Sequence, residues 1–203
     1  RVKPLDQTCR EFNRKYVYPV GYERNKLLIT DWNEQDYSAL DFYDLYERLY
    51  YIKYGTYVPY EAYAGAEYEI PEQDFEEVIK SYFKIDREQI AENTMYDTNR
   101  KSYLYRPRGL HDAEQPYEPY PEVIAYEEQE DGTLRLFIEA VWEREMTDCA
   151  ATSELVVRPL ENGSFQYVSY QVTSWDEKLE LSWYTPRLTD EQWQHYYENI
   201  SNE

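Results

Sequence analysis

The stretch that decides the fold is Thr133–Met146, which reads TLRLFIEAVWEREM. Apolar and polar residues alternate along it, and the apolar face consists of Leu134, Leu136, Ile138, Ala140 and Trp142. A period of two is typical of a β-strand with one face in a core. At 14 residues the run is long, so we expect it to bend around the core through a β-bulge.

Three further strand-like runs flank this stretch: Glu122–Glu128, Thr152–Leu160 and Ser164–Thr173. Asp131-Gly132 lies in the first connection and Asn162-Gly163 in the third. Both dipeptides favour tight hairpin turns, because such turns need a residue with positive φ. Short connections join neighbouring antiparallel strands, so the four runs predict an antiparallel meander.

The N-terminal half has the period of helices. Over Asp36–Lys53, apolar residues recur at three- and four-residue steps, which predicts an amphipathic helix on a core. Ser38 is the expected N-cap, with Asp41 as its capping-box partner, and Gly55 the expected stop. The charged residues of this helix are expected mostly on its other, solvated face: Asp41, Asp44, Glu47 and Arg48.

Shorter elements complete the pattern. Thr56–Tyr68 is interpreted as a loop or an edge strand, and Pro71 as the first turn of a second helix. Other predicted elements are a short helix over Ile85–Ile90 capped by Asp86 with Gln89, a hairpin of Thr94–Tyr96 with Ser102–Tyr105, a strand over Leu179–Tyr184, and a last helix opened by Thr189 with Gln192.

These elements predict an α+β fold in which N-terminal helices pack on a curved antiparallel β-meander. The element order resembles the cystatin-like and nuclear-transport-factor-like two-layer architectures. We expect residues 31–203 to form a single α+β domain, preceded by an N-terminal segment, residues 1–30. That segment holds seven basic and three acidic residues up to Lys26. It is interpreted either as a tether or as an ordinary first strand with charged flanks.

Composition limits the partners. The chain has 25 tyrosines in 203 residues and a formal net charge of −20. Such a surface repels nucleic acid and anionic membranes, since phosphate contacts need Lys and Arg. No apolar run reaches the roughly 20 residues of a membrane span. Cys9 and Cys149 either pair in an exported protein or remain two thiols.

A resemblance adds an expectation about location. Tyr63–Glu72, continued by Asp74–Glu76, and Asn162–Tyr167 are similar to segments of a family of Tyr-rich proteins from Gram-positive gut bacteria. The members of that family are often predicted to be membrane-anchored lipoproteins. The similarity covers roughly Asp36 to Val172. It implies an extracytoplasmic location and brings no catalytic residue. Because the chain starts at Arg1, we expect a removed leader or a domain boundary before it.

The aromatic content favours binding by stacking. Six tyrosines are the candidate ligand-binding platform: Tyr57, Tyr60 and Tyr63 before the second helix, and Tyr117, Tyr120 and Tyr126 around the Pro-rich loop. The alternative is that most of them are amphipathic residues at the rim of the core, each with a buried ring and a hydrated hydroxyl.

Catalytic and metal signatures are weak. The chain lacks GxSxG and phosphate-binding glycine loops. His111 lies beside Asp112 in a Pro-rich loop and His195 on the last helix, and both are expected to be solvated. Loose calcium binding by acidic loops is conceivable, but no metal ligand set or cofactor is predicted. Glu139 and Glu143 are the one carboxylate pair weighed for glycoside hydrolysis.

Three functions follow from these observations. The first is a non-enzymatic extracytoplasmic domain, anchored at the cell surface, that binds a peptide, a glycan or a protein. The second is a secreted carbohydrate-active hydrolase with paired carboxylates. The third is a structural accessory module of a surface complex. The sequence predicts no nucleic-acid partner, and membrane attachment only through an anchor preceding Arg1.

Overall fold

A computed structural model describes residues 5–109, 118–177 and 184–198. The helices are α1 (Gln7–Phe12), α2 (Phe42–Tyr54), α3 (Glu72–Tyr82), α4 (Arg87–Ala91) and α5 (Asp190–Tyr197). The strands are β1 (Trp32–Asn33), β2 (Tyr68–Pro71), β3 (Tyr96–Asp97), β4 (Ser102–Tyr105), β5 (Tyr120–Glu128), β6 (Leu134–Val141), β7 (Ala151–Pro159) and β8 (Phe165–Trp175). The predicted α+β class is confirmed.

The predicted meander forms a five-stranded antiparallel sheet in the order β1-β8-β7-β6-β5. Gly132 and Gly163 both have φ of 83°, as the hairpin turns require. The strand predicted over Thr133–Met146 is present as β6, but its predicted length was wrong, because β6 ends at Val141. The Trp142 N–H donates to the Thr147 carbonyl, which closes a turn in place of a longer strand. The register shifts lie elsewhere in the sheet: after Val123 between β5 and β6, and after Thr152 and Val156 between β7 and β8.

Helix α2 begins later than predicted. Its N-cap is Asp41, whose carboxylate accepts the N–H groups of Tyr43 and Asp44, so Ser38 is not the cap. The helix ends as predicted at Gly55, which has φ of 70°. The capping boxes predicted for α4 and α5 are both present.

The segment 5–30 packs into the core. It contains α1 and a π-helical turn over Asn13–Val17, and no strand lies within residues 5–30, so the first-strand alternative is wrong. Buried tyrosines of β8 hold it, since Tyr167 donates to the Tyr16 carbonyl at 2.8 Å and Tyr170 to the Leu28 carbonyl at 2.6 Å. The boundary at residue 30 and the role of the segment as a tether stay predictions.

Aromatic rings connect the helices to a second, smaller sheet in the order β2-β4-β3. The Phe75 ring of α3 stacks on Tyr46 of α2 at 4.8 Å between centroids and on Tyr103 of β4 at 4.5 Å. The predicted hairpin of β3 with β4 is present, and β2 extends it to a three-stranded sheet.

No disulfide joins Cys9, which is buried, to Cys149, which is exposed. The predicted strand Leu179–Tyr184 lies outside the described residues except for Tyr184.

Candidate ligand-binding cleft

Asp44, in the first turn of α2, is the centre of a buried ionic cluster. The Arg108 guanidinium donates to both carboxylate oxygens of Asp44, each at 2.8 Å. Arg187 donates to Oδ1 at 2.9 Å and the Tyr184 hydroxyl to Oδ2 at 2.6 Å. We call Asp44, Glu47, Arg108, Tyr184 and Arg187 the Asp44 cluster. Both arginines compensate the buried carboxylate, as a charge out of water requires.

Arg187 joins this cluster to the surrounding aromatic rings. It donates to Glu47 at 3.1 Å and to the backbone carbonyl of Arg106. Its guanidinium lies 5.8 Å from the Tyr43 ring and 5.6 Å from the Tyr105 ring. Burial alone would lower the pKa of Arg187, but Glu47, Asp44 and Asp41 outweigh it and hold that pKa well above its usual value. The residue is therefore a permanent cation between two rings.

The described residues 184–198 form a C-terminal arm that depends on these contacts. Helix α5, within the arm, has no buried residue among its eight. Arg106 pairs with Asp190 and lies 4.3 Å from the Trp193 ring. An isolated helix of this length is marginal in water, so the contacts of the arm with the body keep α5 in place.

A cleft of about 360 Å³ separates the arm from the body. The body lines it with Asp41, Tyr43, Glu92, Asn93, Thr94, Met95, Arg106, Pro107 and Arg108, and the arm with Arg187, Leu188, Thr189, Asp190 and Trp193. Two aromatic rings, an amide, hydroxyls and charges of both signs thus face one space.

Besides Arg187, Asp41 and Tyr43 of the cleft lining have shifted pKa values. Burial and the neighbouring Asp44 raise the pKa of Asp41, against the opposing effect of Arg187. Burial raises the pKa of Tyr43 to about 12, so its hydroxyl keeps its proton while it accepts the Met95 N–H at 2.9 Å. The cleft wall therefore offers a protonated phenol beside a carboxyl group that favours its neutral form more than a solvated aspartate does.

The predicted aromatic platform is not at this cleft. Tyr57 and Tyr63 are exposed, Tyr60 is half-buried, and the ring contacts of Tyr57 and Tyr60 are with Tyr51, Tyr68 and Tyr105. Tyr120 and Tyr126 lie on β5, where Tyr126 packs edge-on against Phe12 at 5.0 Å. Tyr117 lies outside the described residues. Their use as a binding surface stays a prediction.

The carboxylate pair weighed for hydrolysis is separated by the end of β6. Glu139 is on the strand, while Glu143 begins a 3-10 turn after it, so the two no longer share one strand face. His195 is exposed on α5, and His111 lies outside the described residues. Among residues 5–109, 118–177 and 184–198, no group of three or more His, Cys, Asp or Glu side chains is arranged to hold a metal ion.

Sequence reasoning missed the Asp44 cluster. Asp44 was predicted to lie on the solvated face of its helix, which is wrong, since its side chain has no exposed surface. One signal was present: Asp44 lies in the first turn of α2, where the helix dipole favours a carboxylate. Its partners could not be read from local spacing, because they lie 64 to 143 residues away.

The comparisons with known proteins identify the family. The chain belongs to DUF6070, a family of unknown function. Residues 1–187 match the family model, a range that includes Arg187 and ends before α5. Searches of curated proteins and of solved structures gave no match. None of the helices in the described part of the chain is long and apolar enough to cross a bilayer.

Proposed function

We propose that this chain is a non-enzymatic extracytoplasmic binding domain whose cleft accommodates a short segment of a glycan or a peptide. The observation that carries the proposal is the cleft itself, about 360 Å³ between the C-terminal arm and the body. That volume lies at the lower end of the range for small-ligand sites, so it suits one or two sugar rings or a short peptide segment.

The lining has the chemistry that such ligands require. Trp193 offers an aromatic surface for the apolar face of a sugar ring or for a peptide side chain. Glu92, Asn93 and Thr94, which belong to the body, add donors and acceptors to the cleft lining. The arginines are already engaged by Asp44, Glu67 and Asp190. A neutral or cationic ligand therefore fits better than an anion.

The proposed location is the outer face of a Gram-positive cell, with an anchor on the N-terminal side. The resemblance to Tyr-rich lipoproteins supports it, as does the basic character of the first 26 residues, seven basic against three acidic. A chain with net charge −20 is repelled by an anionic surface. An anchor would therefore hold the domain near a membrane that its own surface does not bind.

A thermal-shift screen tests the proposal. A ligand that binds only the folded state raises the melting temperature. At a ligand concentration of one hundred times its Kd, it adds about 2.7 kcal/mol to the free energy of unfolding. We expect a shift with at least one glycan or peptide for the wild type and for Tyr196→Ala. Tyr196 is on the same helix, exposed, and does not line the cleft. We expect no shift for Trp193→Ala. Equal shifts in both variants would place the ligand elsewhere.

One observation favours the second candidate, a carbohydrate-active hydrolase. Asp41 lines the cleft and has a raised pKa, as a general acid requires. Its Oδ1 oxygen, however, already caps α2. If Asp41 were the acid, Asp41→Asn would abolish the release of reducing sugar from cell-wall and plant polysaccharides. If the wild type releases no reducing sugar, the hydrolase candidate is rejected and the binding function remains.

A further inference from the structure

The C-terminal arm is attached to the body in two parts that differ in burial. We call residues 184–187 the root of the arm. At the root, the Tyr184 hydroxyl donates to the buried Asp44 carboxylate at 2.6 Å and the Arg187 guanidinium at 2.9 Å. Residues 188–189 join the root to α5, which has no buried residue. The root is therefore fixed to the core, whereas α5 lies on the surface of the body.

Arg106, which follows β4, is a body residue whose side chain holds the first half of α5. Its guanidinium pairs with Asp190, the first residue of the helix, and lies 4.3 Å from the Trp193 ring. Its Nε also donates to Glu67 of the body at 2.9 Å. The Asp190 side chain is 64% exposed. Contacts of this kind are individually weak, because water competes for the exposed groups.

These contacts lie at the candidate cleft itself. Arg106 lines the cleft from the body, and Leu188, Asp190 and Trp193 line it from the arm. Detachment of α5 would remove Asp190 and Trp193 from the wall, while the root would stay on the buried Asp44 carboxylate. An element held by exposed contacts opens at a lower free energy than the core unfolds. Opening of α5 would therefore convert the cleft into an open face of the body.

We propose that α5 is a lid on the cleft, which Arg106 latches to the body and which detaches at residues 188–189 to admit the ligand. The nature of that ligand rests on the proposed function, but the opening itself is a property of the free chain. A ligand that contacts both Trp193 and the body shifts the lid toward the closed state, because it binds that state better than the open one.

Alkylation of a thiol in the cleft measures the opening without a ligand. Thr94→Cys places the thiol on the body wall, and Cys149→Ser removes the exposed native cysteine. The reagent is a fluorescein maleimide. The latch is broken by Arg106→Gln, which keeps the backbone carbonyl that accepts from Arg187. Labelling is expected to be about threefold to thirtyfold faster, the effect of losing one exposed ion pair and one cation–π contact.

Hydrogen exchange separates opening of the lid from the smaller side chain at residue 106. The amides of Trp193 and Glu198 donate to Thr189 and Gln194 within the arm, so they report whether α5 is formed. In Arg106→Gln they are expected to exchange faster by the same factor as the labelling. The amides of β6 and β7 are expected to keep their protection, which shows that the body is folded.

Two controls accompany these measurements. Met146→Cys carries a thiol at a position that is 94% exposed and outside the cleft lining, so Arg106→Gln is expected to leave its labelling unchanged. Arg100→Gln breaks an exposed pair with Glu69 of the small sheet and is expected to leave the labelling of Thr94→Cys unchanged.

The lid is overturned if Arg106→Gln changes neither the labelling nor the exchange of α5. Faster labelling with unchanged exchange would assign the effect to the missing arginine side chain, and would overturn it as well. If both rates rise but the thermal-shift screen finds no ligand, the lid is supported and the proposed function fails. The two failures are therefore distinguishable.

Discussion

In the part of the chain that the structure describes, two buried carboxylates have cationic partners, and the two differ in how far those partners lie along the chain. Glu76 of α3 accepts from Lys80 at 2.6 Å, Arg87 at 2.5 Å and Tyr103 at 3.0 Å, all within 27 residues. Asp44 of α2 binds partners 64 to 143 residues away. Glu76 therefore stabilises one local unit, whereas Asp44 connects distant segments.

The surroundings of the two carboxylates differ as well. Lys80 and Arg87 are both 41% exposed, so the Glu76 cations reach solvent. The Asp44 cations are largely shielded from solvent, with side-chain exposures of 3% for Arg108 and 11% for Arg187. A cation that reaches water can lose its partner at small cost, while a buried one cannot. Only the Asp44 cluster borders the cleft, so the part of the fold with the most constrained charges is also the candidate site.

The largest effect is expected for Asp44→Ala, which removes the carboxylate from the buried Arg108 and leaves Arg187 with Glu47 alone. Removal of one partner from a buried pair typically costs about 3–5 kcal/mol. Urea unfolding followed by tryptophan fluorescence measures the free energy of unfolding. Arg100→Ala, which breaks an exposed pair with Glu69, is the control and is expected to cost below about 1 kcal/mol. Equal losses in the two variants would remove the distinction between buried and exposed pairs.

A smaller effect, and a pH dependence, is expected for Glu76→Gln. Burial would raise the pKa of Glu76, but the hydrogen bonds from Arg87, Lys80 and Tyr103 outweigh it and lower the pKa. The ionised form is thus favoured by folding, and its contribution is present above the unfolded pKa of about 4.3 and is lost as pH falls through the folded value. The variant should cost about 1–3 kcal/mol at neutral pH. Its melting temperature should fall less steeply than that of the wild type on acidification.

The smallest effect on the free energy of unfolding is expected for Asp41→Asn, and its pH dependence is opposite to that of Glu76→Gln. Burial and Asp44 raise the pKa of Asp41, so its contribution to stability is complete below the unfolded pKa of about 3.9 and is lost as pH rises through the folded value. Asparagine caps helices as well as aspartate does. The variant should therefore match or exceed the wild type at pH 7. A clear loss of stability at pH 7 would show that the Asp41 charge is needed to balance Arg187.

The same contrast explains how much the sequence could predict. The hairpin turns at Gly132 and Gly163 and the capping box of Asp86 with Gln89 were predictable, because each depends on residues within a few positions of one another. The burial of Asp44 was not, because the compensating Arg108 and Arg187 are distant in the chain. Local reasoning finds capped and alternating elements, and it does not find pairs that only tertiary packing brings together.

Hydrogen exchange of α5 in wild type and in Arg187→Gln tests most directly whether the Asp44 cluster holds the C-terminal arm on the body. Arg187→Gln leaves the Asp44 pair with Arg108 intact, so no buried cation loses its carboxylate. Without its anchor the eight-residue α5 is too short to persist alone. The account predicts that the amides of α5 lose protection in the variant while those of β6 and β7 keep theirs. Unchanged protection of α5 would contradict the account.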